Sequence, residues 1–187
     1  LVIGDTKKFH NLRSGGYASQ SVLGVFLDIT QDGTVTLTNP KNVIGNVKVE
    51  AGKLAVNDVK QLGGAKHIEV AAAGTLHLDF TEIYNGSLAI NGGTLQTGTG
   101  ALTITGDVNL KDAKLVINLP EDVKPDQLTG KKLVIAEVQG KLKGTFAAVT
   151  VSTKGSTVDK GLIVYEDNKI ILDGSKVQVL AKATSIK

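Results

Sequence analysis

The sequence predicts an all-β protein that winds as a parallel β-helix, a solenoid in which like strands stack one turn apart. One observation behind this prediction is a short, glycine-led strand phrase that recurs at intervals of about one turn. Another is that no segment of useful length shows the apolar periodicity of an α-helix. A third is the aromatic content of only 4 %, which suits a narrow coil with little room for large rings.

The first series of phrases reads glycine, any residue, aliphatic, any residue, aliphatic. It occurs at 33–37, 52–56 and 74–78, with a shortened copy at 93–95, and its glycines stand 19, 22 and 19 residues apart. Alternate residues of a strand point to opposite faces, so the aliphatic residues are predicted to face inward and the polar residues outward. The predicted core residues of the whole chain include Val35, Leu54, Leu76, Leu88, Leu102, Ile104, Leu133, Ile135 and Phe146.

A second series is interleaved with the first. It occurs at 45–49, in a looser copy at 67–70, and at 86–90 and 106–110. Each winding of about 20 residues therefore holds two or more short strands. A β-sandwich fits less well, because its strands usually join through hairpins whose register is local to each pair. We assign residues 30–112 to stacked turns, or rungs, and leave residues 1–29 as an unassigned N-terminal segment.

Residues 113–187 read as the last rungs and a C-terminal cap of hairpin type. Strands are predicted there at 114–119, 131–138, 141–150, 161–165, 169–172 and 176–180. Pro120 and Pro125 bracket a loop that cannot lie inside a central strand, and Asp167-Asn168 reads as a hairpin turn. A solenoid leaves the backbone groups of its last rung without partners, so a cap is expected to cover that edge.

Composition excludes several classes of protein. The chain has 187 residues and a mass of 19.5 kDa, which favours one domain. It contains no cysteine, which excludes disulfides, thiolate metal sites and cysteine nucleophiles. Its 21 Lys+Arg and 18 Asp+Glu are dispersed, and this balance gives no reason to expect a nucleic-acid partner. The chain has no Met and begins at Leu1, so we expect a processed or excised piece.

Two histidine–carboxylate pairs are the strongest chemical candidates in the sequence. His67 and Glu69 form one pair and His77 and Asp79 the other, and in each the two side chains are predicted to share the outward face of a strand. Histidine beside a carboxylate can bind a metal or act as an oriented base. The pairs lie ten residues apart, about half a turn, so they are predicted to face different directions and to be solvent-exposed polar residues.

Other candidate groups carry weaker signals. Carboxylates at Asp28, Asp32, Asp107 and Asp112 do not recur at one-rung spacing, which a polysaccharide-cleaving groove would require. Ser14, Ser19 and Ser21 stand near His10 without a nucleophile motif, and Arg13 is the only arginine. The glycine pairs at 15–16, 63–64 and 92–93 are interpreted as corners. The sequence therefore predicts no catalytic, cofactor-binding or metal-binding residue, and no cofactor.

Three stretches resemble the C-terminal passenger region of bacterial type V secreted proteins, the autotransporters. Residues 92–104, with Gly92-Gly93-Thr94-Leu95, resemble the glycine–threonine–leucine strand repeat of these passengers. Residues 114–119 and 127–135 resemble their last rungs, and residues 140–146 their glycine–aliphatic–glycine–aromatic segment. The resemblance covers roughly residues 30–173. Neither a signal peptide nor a translocator barrel is recognised within these 187 residues.

The resemblance implies a right-handed parallel β-helix that is exported across the outer membrane of a Gram-negative cell and then displayed on, or released from, the surface. Its own translocator barrel would be its partner during export. The family's C-terminal passenger segment often serves as an intramolecular folding nucleus, the autochaperone, and by position that role falls on residues 107–173. The absence of cysteine agrees with passage through a pore as an unfolded chain.

We therefore expect a non-catalytic stalk and folding cap. The alternative is an adhesin that binds host glycans or proteins, or another copy of itself, through a face of the β-helix. A third hypothesis places an enzyme upstream of Leu1, with this chain as its support.

Overall fold

The structure is a computed structural model that describes residues 3–4, 9–11, 22–30, 32–120, 122–123, 125–152, 157–158 and 162–176. The strands are β1 (Ile3–Gly4), β2 (Phe9–Asn11), β3 (Val22–Ile29), β4 (Thr34–Leu37), β5 (Val43–Val56), β6 (His67–Leu78), β7 (Ile83–Tyr84), β8 (Ser87–Asn91), β9 (Thr94–Thr97), β10 (Leu102–Ile104), β11 (Val108–Lys111), β12 (Lys114–Asn118), β13 (Lys132–Val138), β14 (Leu142–Gly144), β15 (Ala148–Ser152), β16 (Thr157–Val158), β17 (Ile163–Glu166) and β18 (Lys169–Asp173). Short 3-10 turns lie at Val59–Leu62, Pro125–Leu128 and Gly174–Lys176.

Parallel pairing stacks these strands into a β-solenoid, which confirms the predicted parallel β-helix. We name its three sides by their strands. The first side holds β3, the first halves of β5 and β6, then β8, β11 and β14. The second side holds β4, the second halves of β5 and β6, then β9, β12 and β15. The third side holds β7, β10 and β13.

Inward aliphatic side chains form vertical columns. One column on the second side is in register through six rungs and is at most 2 % exposed: Val35, Leu54, Leu76, Leu95, Leu115 and Val149. A column on the first side is also in register through Ile29, Val49, Val70, Ile90 and Leu110, and it ends at Gly144, which is exposed and has no side chain. The two interleaved phrase series are therefore the second and first sides of one solenoid. Every predicted core residue is buried except Leu133, which is partly buried against the core.

The leading glycines of the phrases lie at corners where successive rungs contact each other through their backbones. A Cβ on Gly93 would lie 2.5 Å from the carbonyl oxygen of Ala71, and one on Gly74 would collide with the carbonyl of Val49. At another corner, a Cβ on Gly106 would lie 2.5 Å from the carbonyl oxygen of Gly86. No side chain fits at these three corners, which explains the glycine at each of them.

The C-terminal cap is a hairpin, as the sequence predicts. β17 and β18 pair antiparallel, and Asp167 and Asn168 turn between them with φ of 50° and 58°. β18 continues antiparallel onto β13 of the third side, and β16 covers β15 in the same way. The interval between stacked residues grows to 34 at Leu115 and Val149, because the loop with Pro120 and Pro125 is inserted in that rung.

Some predicted element bounds are wrong. The strand predicted at 141–150 is two strands, β14 and β15, because the chain turns a corner after Gly144, whose φ is 80°. β3 pairs with β5, so residues 22–29 extend the stack into the segment that the sequence left unassigned. Of the strand predicted at 176–180, Lys176 lies in a 3-10 turn and 177–180 lie outside the described residues.

We predict that Leu76→Ala lowers the free energy of unfolding by about 2–5 kcal/mol, as a cavity in a packed core does. Leu76 is fully buried and stacks between Leu54 and Leu95. Denaturant unfolding followed by circular dichroism measures the change. Thr75→Ala is the matched control, because this outward neighbour lies between core positions and its replacement should change stability by about 0.5 kcal/mol or less. Equal losses in the two variants would contradict the inward assignment.

Candidate functional site

The structure places the two histidine–carboxylate pairs on different sides of the solenoid. His67 and Glu69 lie on the first side, in the first half of β6. The Nδ1 atom of His67 lies 2.6 Å from Ser87 Oγ in the next rung, and Asn91 Nδ2 donates a 3.4 Å hydrogen bond to Glu69 Oε1. These contacts join neighbouring rungs, so this pair has a structural role in the sheet.

The second pair, His77 and Asp79, lines a cleft of about 580 Å³ at the corner between the second and third sides. We call this the corner cleft. Its polar lining also includes Asn57, Glu82 and Asn118, which belong to different rungs. A histidine–carboxylate pair lines this cleft, whereas no histidine lines the concave features beside Tyr165 and beside Ile83 in the described part of the chain.

Strand register builds the corner cleft. Val56, Leu78, Thr97 and Ile117 are partners on the second side, and the residue after each of them begins the corner. These following residues are Asn57, Asp79, Gly98 and Asn118. Three polar side chains and one gap therefore succeed one another along the solenoid.

Two glycines keep the cleft open. A Cβ on Gly98 would lie 3.2 Å from Asp79 Oδ1, and one on Gly100 would lie 2.7 Å from Thr81 Cγ2. A side chain at either position would therefore crowd Asp79 or Thr81, which line the cleft. The glycine-containing rung also contributes Thr97 and Thr99 to the lining.

The electrostatics of the cleft are set by Asp79 and Glu82. Neither lysine nor arginine lines the cleft in the part of the chain that the structure describes. Burial lowers the pKa of His77 below its ordinary value of 6.5; the positive charge of Lys53 adds to this, and the Asp79 carboxylate opposes it. The imidazole is therefore mainly neutral at pH 7, where one ring nitrogen donates and the other accepts.

The four aspartates that the sequence raised for polysaccharide cleavage do not converge. Asp28 lies on the first side, and burial raises the pKa of its carboxyl, with the charge of Glu50 as a further cause. Asp107 Oδ1 accepts a 2.8 Å hydrogen bond from the backbone of Lys141, and Asp112 turns between β11 and β12 with φ of 50°. Asp32 is exposed ahead of β4.

Among the described residues, no group of three or more His, Cys, Asp or Glu residues could hold a metal ion. Arg13, Ser14, Ser19 and Ser21 lie outside those residues. The search for helices long and apolar enough to span a membrane, over the same residues, finds none.

The chain matches no protein-family model, and comparisons with curated proteins and with solved structures also find no match.

The corner cleft was missed by sequence reasoning, which raised Asp79 as the partner of His77 but did not connect it with Asn57 or Asn118. Asn57 and Asn118 are 61 residues apart, and no local pattern joins them. The sequence does contain one usable signal: the residue that follows each second-side strand phrase is polar, except at Gly98.

We predict that protonation of His77 lowers the free energy of unfolding at acidic pH. Because its pKa is below 6.5 in the folded chain, the unfolded chain binds the proton first, so stability falls as the pH drops below about 6.5 toward the folded pKa. His77→Gln should reduce the stability lost between about pH 7 and about pH 5, measured by urea unfolding at both values. An NMR titration midpoint for His77 at or above 6.5, or the same acid-side loss in the variant, would refute the assignment.

Proposed function

We propose that this chain is the C-terminal β-helical stalk and folding cap of an autotransporter passenger, displayed on or released from a Gram-negative cell surface. The observation that carries the proposal is the combination of an unbroken aliphatic column through six strands of the second side with an antiparallel cover at the C-terminal end. The role is mechanical and kinetic, and it involves no catalysis.

The columns suit a rigid spacer. Each rung contacts only the rungs next to it, so stability accumulates rung by rung. Six stacked positions span five strand spacings, roughly 24 Å at about 4.8 Å each. The buried column from Val35 to Val149 is continuous over that length. A rod of this kind can hold an upstream part away from a membrane.

Contacts within the cap support a role as the folding end. Tyr165 Oη accepts a 2.8 Å hydrogen bond from the backbone N–H of Phe146, and Asn168 Nδ2 donates a 3.1 Å bond to the carbonyl of Gly140. The hairpin of β17 and β18 is local in sequence, so little loop entropy opposes its formation. Once docked on β13, it offers an ordered edge on which earlier rungs can stack.

Exposed rows on the second side favour adhesion as a second candidate function. Thr75 and Thr94 are direct partners on the outward face, with Lys53 before them and Lys114 after them. A row of hydroxyl and ammonium groups repeated once per rung can contact a repeating glycan or the same row of another copy. Aggregation of cells that display the chain would distinguish self-association from glycan binding.

The proposed origin predicts what flanks this chain in its gene. We expect the reading frame to continue beyond Lys187 into a translocator domain and to begin upstream of Leu1 with a signal peptide. Sequencing the coding region on both sides measures this directly. Protease treatment of intact cells should then release the chain from the surface. A frame that stops after Lys187, or a chain that intact cells protect from protease, would remove the autotransporter proposal.

The folding role predicts opposite kinetic effects at the two ends of one column. Val35 and Val149 are each 1 % exposed in the same column, so Val35→Ala and Val149→Ala are matched truncations, each expected to cost roughly 2 kcal/mol. Stopped-flow refolding and unfolding of both variants give their φ-values. If the cap folds first, Val149→Ala slows folding, whereas Val35→Ala mainly speeds unfolding.

The reverse pattern, or equal φ-values at both ends, would contradict nucleation at the C-terminal end. It would leave the columns and the stalk role unaffected, because those depend on equilibrium packing.

A further inference from the structure

We propose that the corner cleft is a binding site for an uncharged, hydroxyl-rich sugar unit of a glycan. This inference goes beyond the stalk role and rests on the adhesion candidate. It places the glycan-binding site in the corner cleft and not on the outward row of the second side. It follows from the shape of the cleft, its hydrogen-bonding groups and its charge.

The shape fits a small ring. A volume of about 580 Å³ lies within the range of about 300–1,000 Å³ that is usual for small-molecule sites. Gly98 and Gly100 withhold side chains from the middle rung, so the rungs on either side of it, roughly 10 Å apart, form two walls. Pro120, which is exposed, adds an apolar surface at the edge of the second wall.

The walls carry complementary hydrogen-bonding groups. The Asp79 carboxylate can accept bonds from two hydroxyl groups, whereas the Asn118 amide can donate and accept. His77 adds one donor and one acceptor in its neutral form. Within the described residues, no side-chain or backbone donor binds the Asp79 carboxylate, so this group remains available to a ligand. Adjacent sugar hydroxyls, each both donor and acceptor, satisfy such a mixed set.

Charge selects against acidic sugars. The chain as a whole has a net charge of +3, which would favour anionic glycans at a distance. Inside the cleft, however, the charged groups that line it among the described residues are Asp79 and Glu82, and their carboxylates would repel a sugar acid, a sulfate or a phosphate. The carboxylates of the cleft thus predict binding of neutral glycans, whereas the net charge of the chain predicts binding of anionic glycans. A binding experiment can distinguish the two.

The test is binding of the intact chain to a glycan array that holds neutral, carboxylated and sulfated oligosaccharides, with titration calorimetry on the glycans it retains. We expect neutral glycans to be bound. Gly98→Val should weaken that binding tenfold or more, because its side chain enters the cleft while the backbone at Gly98 is outside the left-handed region. Asp79→Ala should weaken it in the same way, and Glu137→Gln, an exposed acid on the third side away from the cleft, should not.

Two further variants separate this inference from the adhesion candidate. Thr75→Ala and Thr94→Ala alter the outward row of threonine and lysine side chains on the second side and leave the cleft lining intact. If these two variants lose neutral-glycan binding and Gly98→Val retains that binding, the cleft proposal is overturned and adhesion through the outward row of the second side stands. Retention of acidic glycans alone, or of none, would also overturn it. Circular dichroism and thermal melting of each variant confirm that the fold is intact.

Discussion

The rest of the structure depends on the close backbone contact between successive turns. Rungs stacked by parallel hydrogen bonds lie about 4.8 Å apart, and at several corners the backbone of one turn leaves no space for a Cβ on the next. Gly74 against the carbonyl of Val49 and Gly106 against that of Gly86 show the constraint directly. Once these corners are fixed, the register of the strands follows. The register in turn decides which side chains share a column, inside or outside.

The same constraint explains which parts of the fold could be predicted. The first and second sides were readable because a glycine and two alternating aliphatic residues recur in each turn, as in 52–56 and 74–78. The start of the third side was not, because the strand Ile83–Tyr84 is too short to show alternation. In the turn before it, the corresponding part of the chain is the 3-10 turn Val59–Leu62 and not a strand. The break after Gly144 was missed because apolar residues continue on both sides of it.

The corner cleft lay beyond sequence reasoning for a different physical reason. His77 and Asp79 are neighbours in sequence and drew notice as a pair, but the groups that complete their surroundings come from other rungs. Asn118 belongs to the cleft only because Ile117 is in register with Thr97. The space itself results from atoms that Gly98 and Gly100 lack. A site made of one gap and residues far apart in sequence becomes visible only when the stacking is known.

The proposed stalk and binding roles are compatible in this architecture because they use different parts of each turn: the inward faces of the strands and the corners that follow them. The inward residues, from Val35 to Val149 in one column, carry the stability of the rod. The residues that follow each strand at the corner are outside those columns, so replacing one with glycine leaves the core intact. Gly98 follows Thr97, which is itself buried in register with Leu78 and Ile117. A solenoid can therefore acquire a cleft at a corner without losing the packing that makes it rigid.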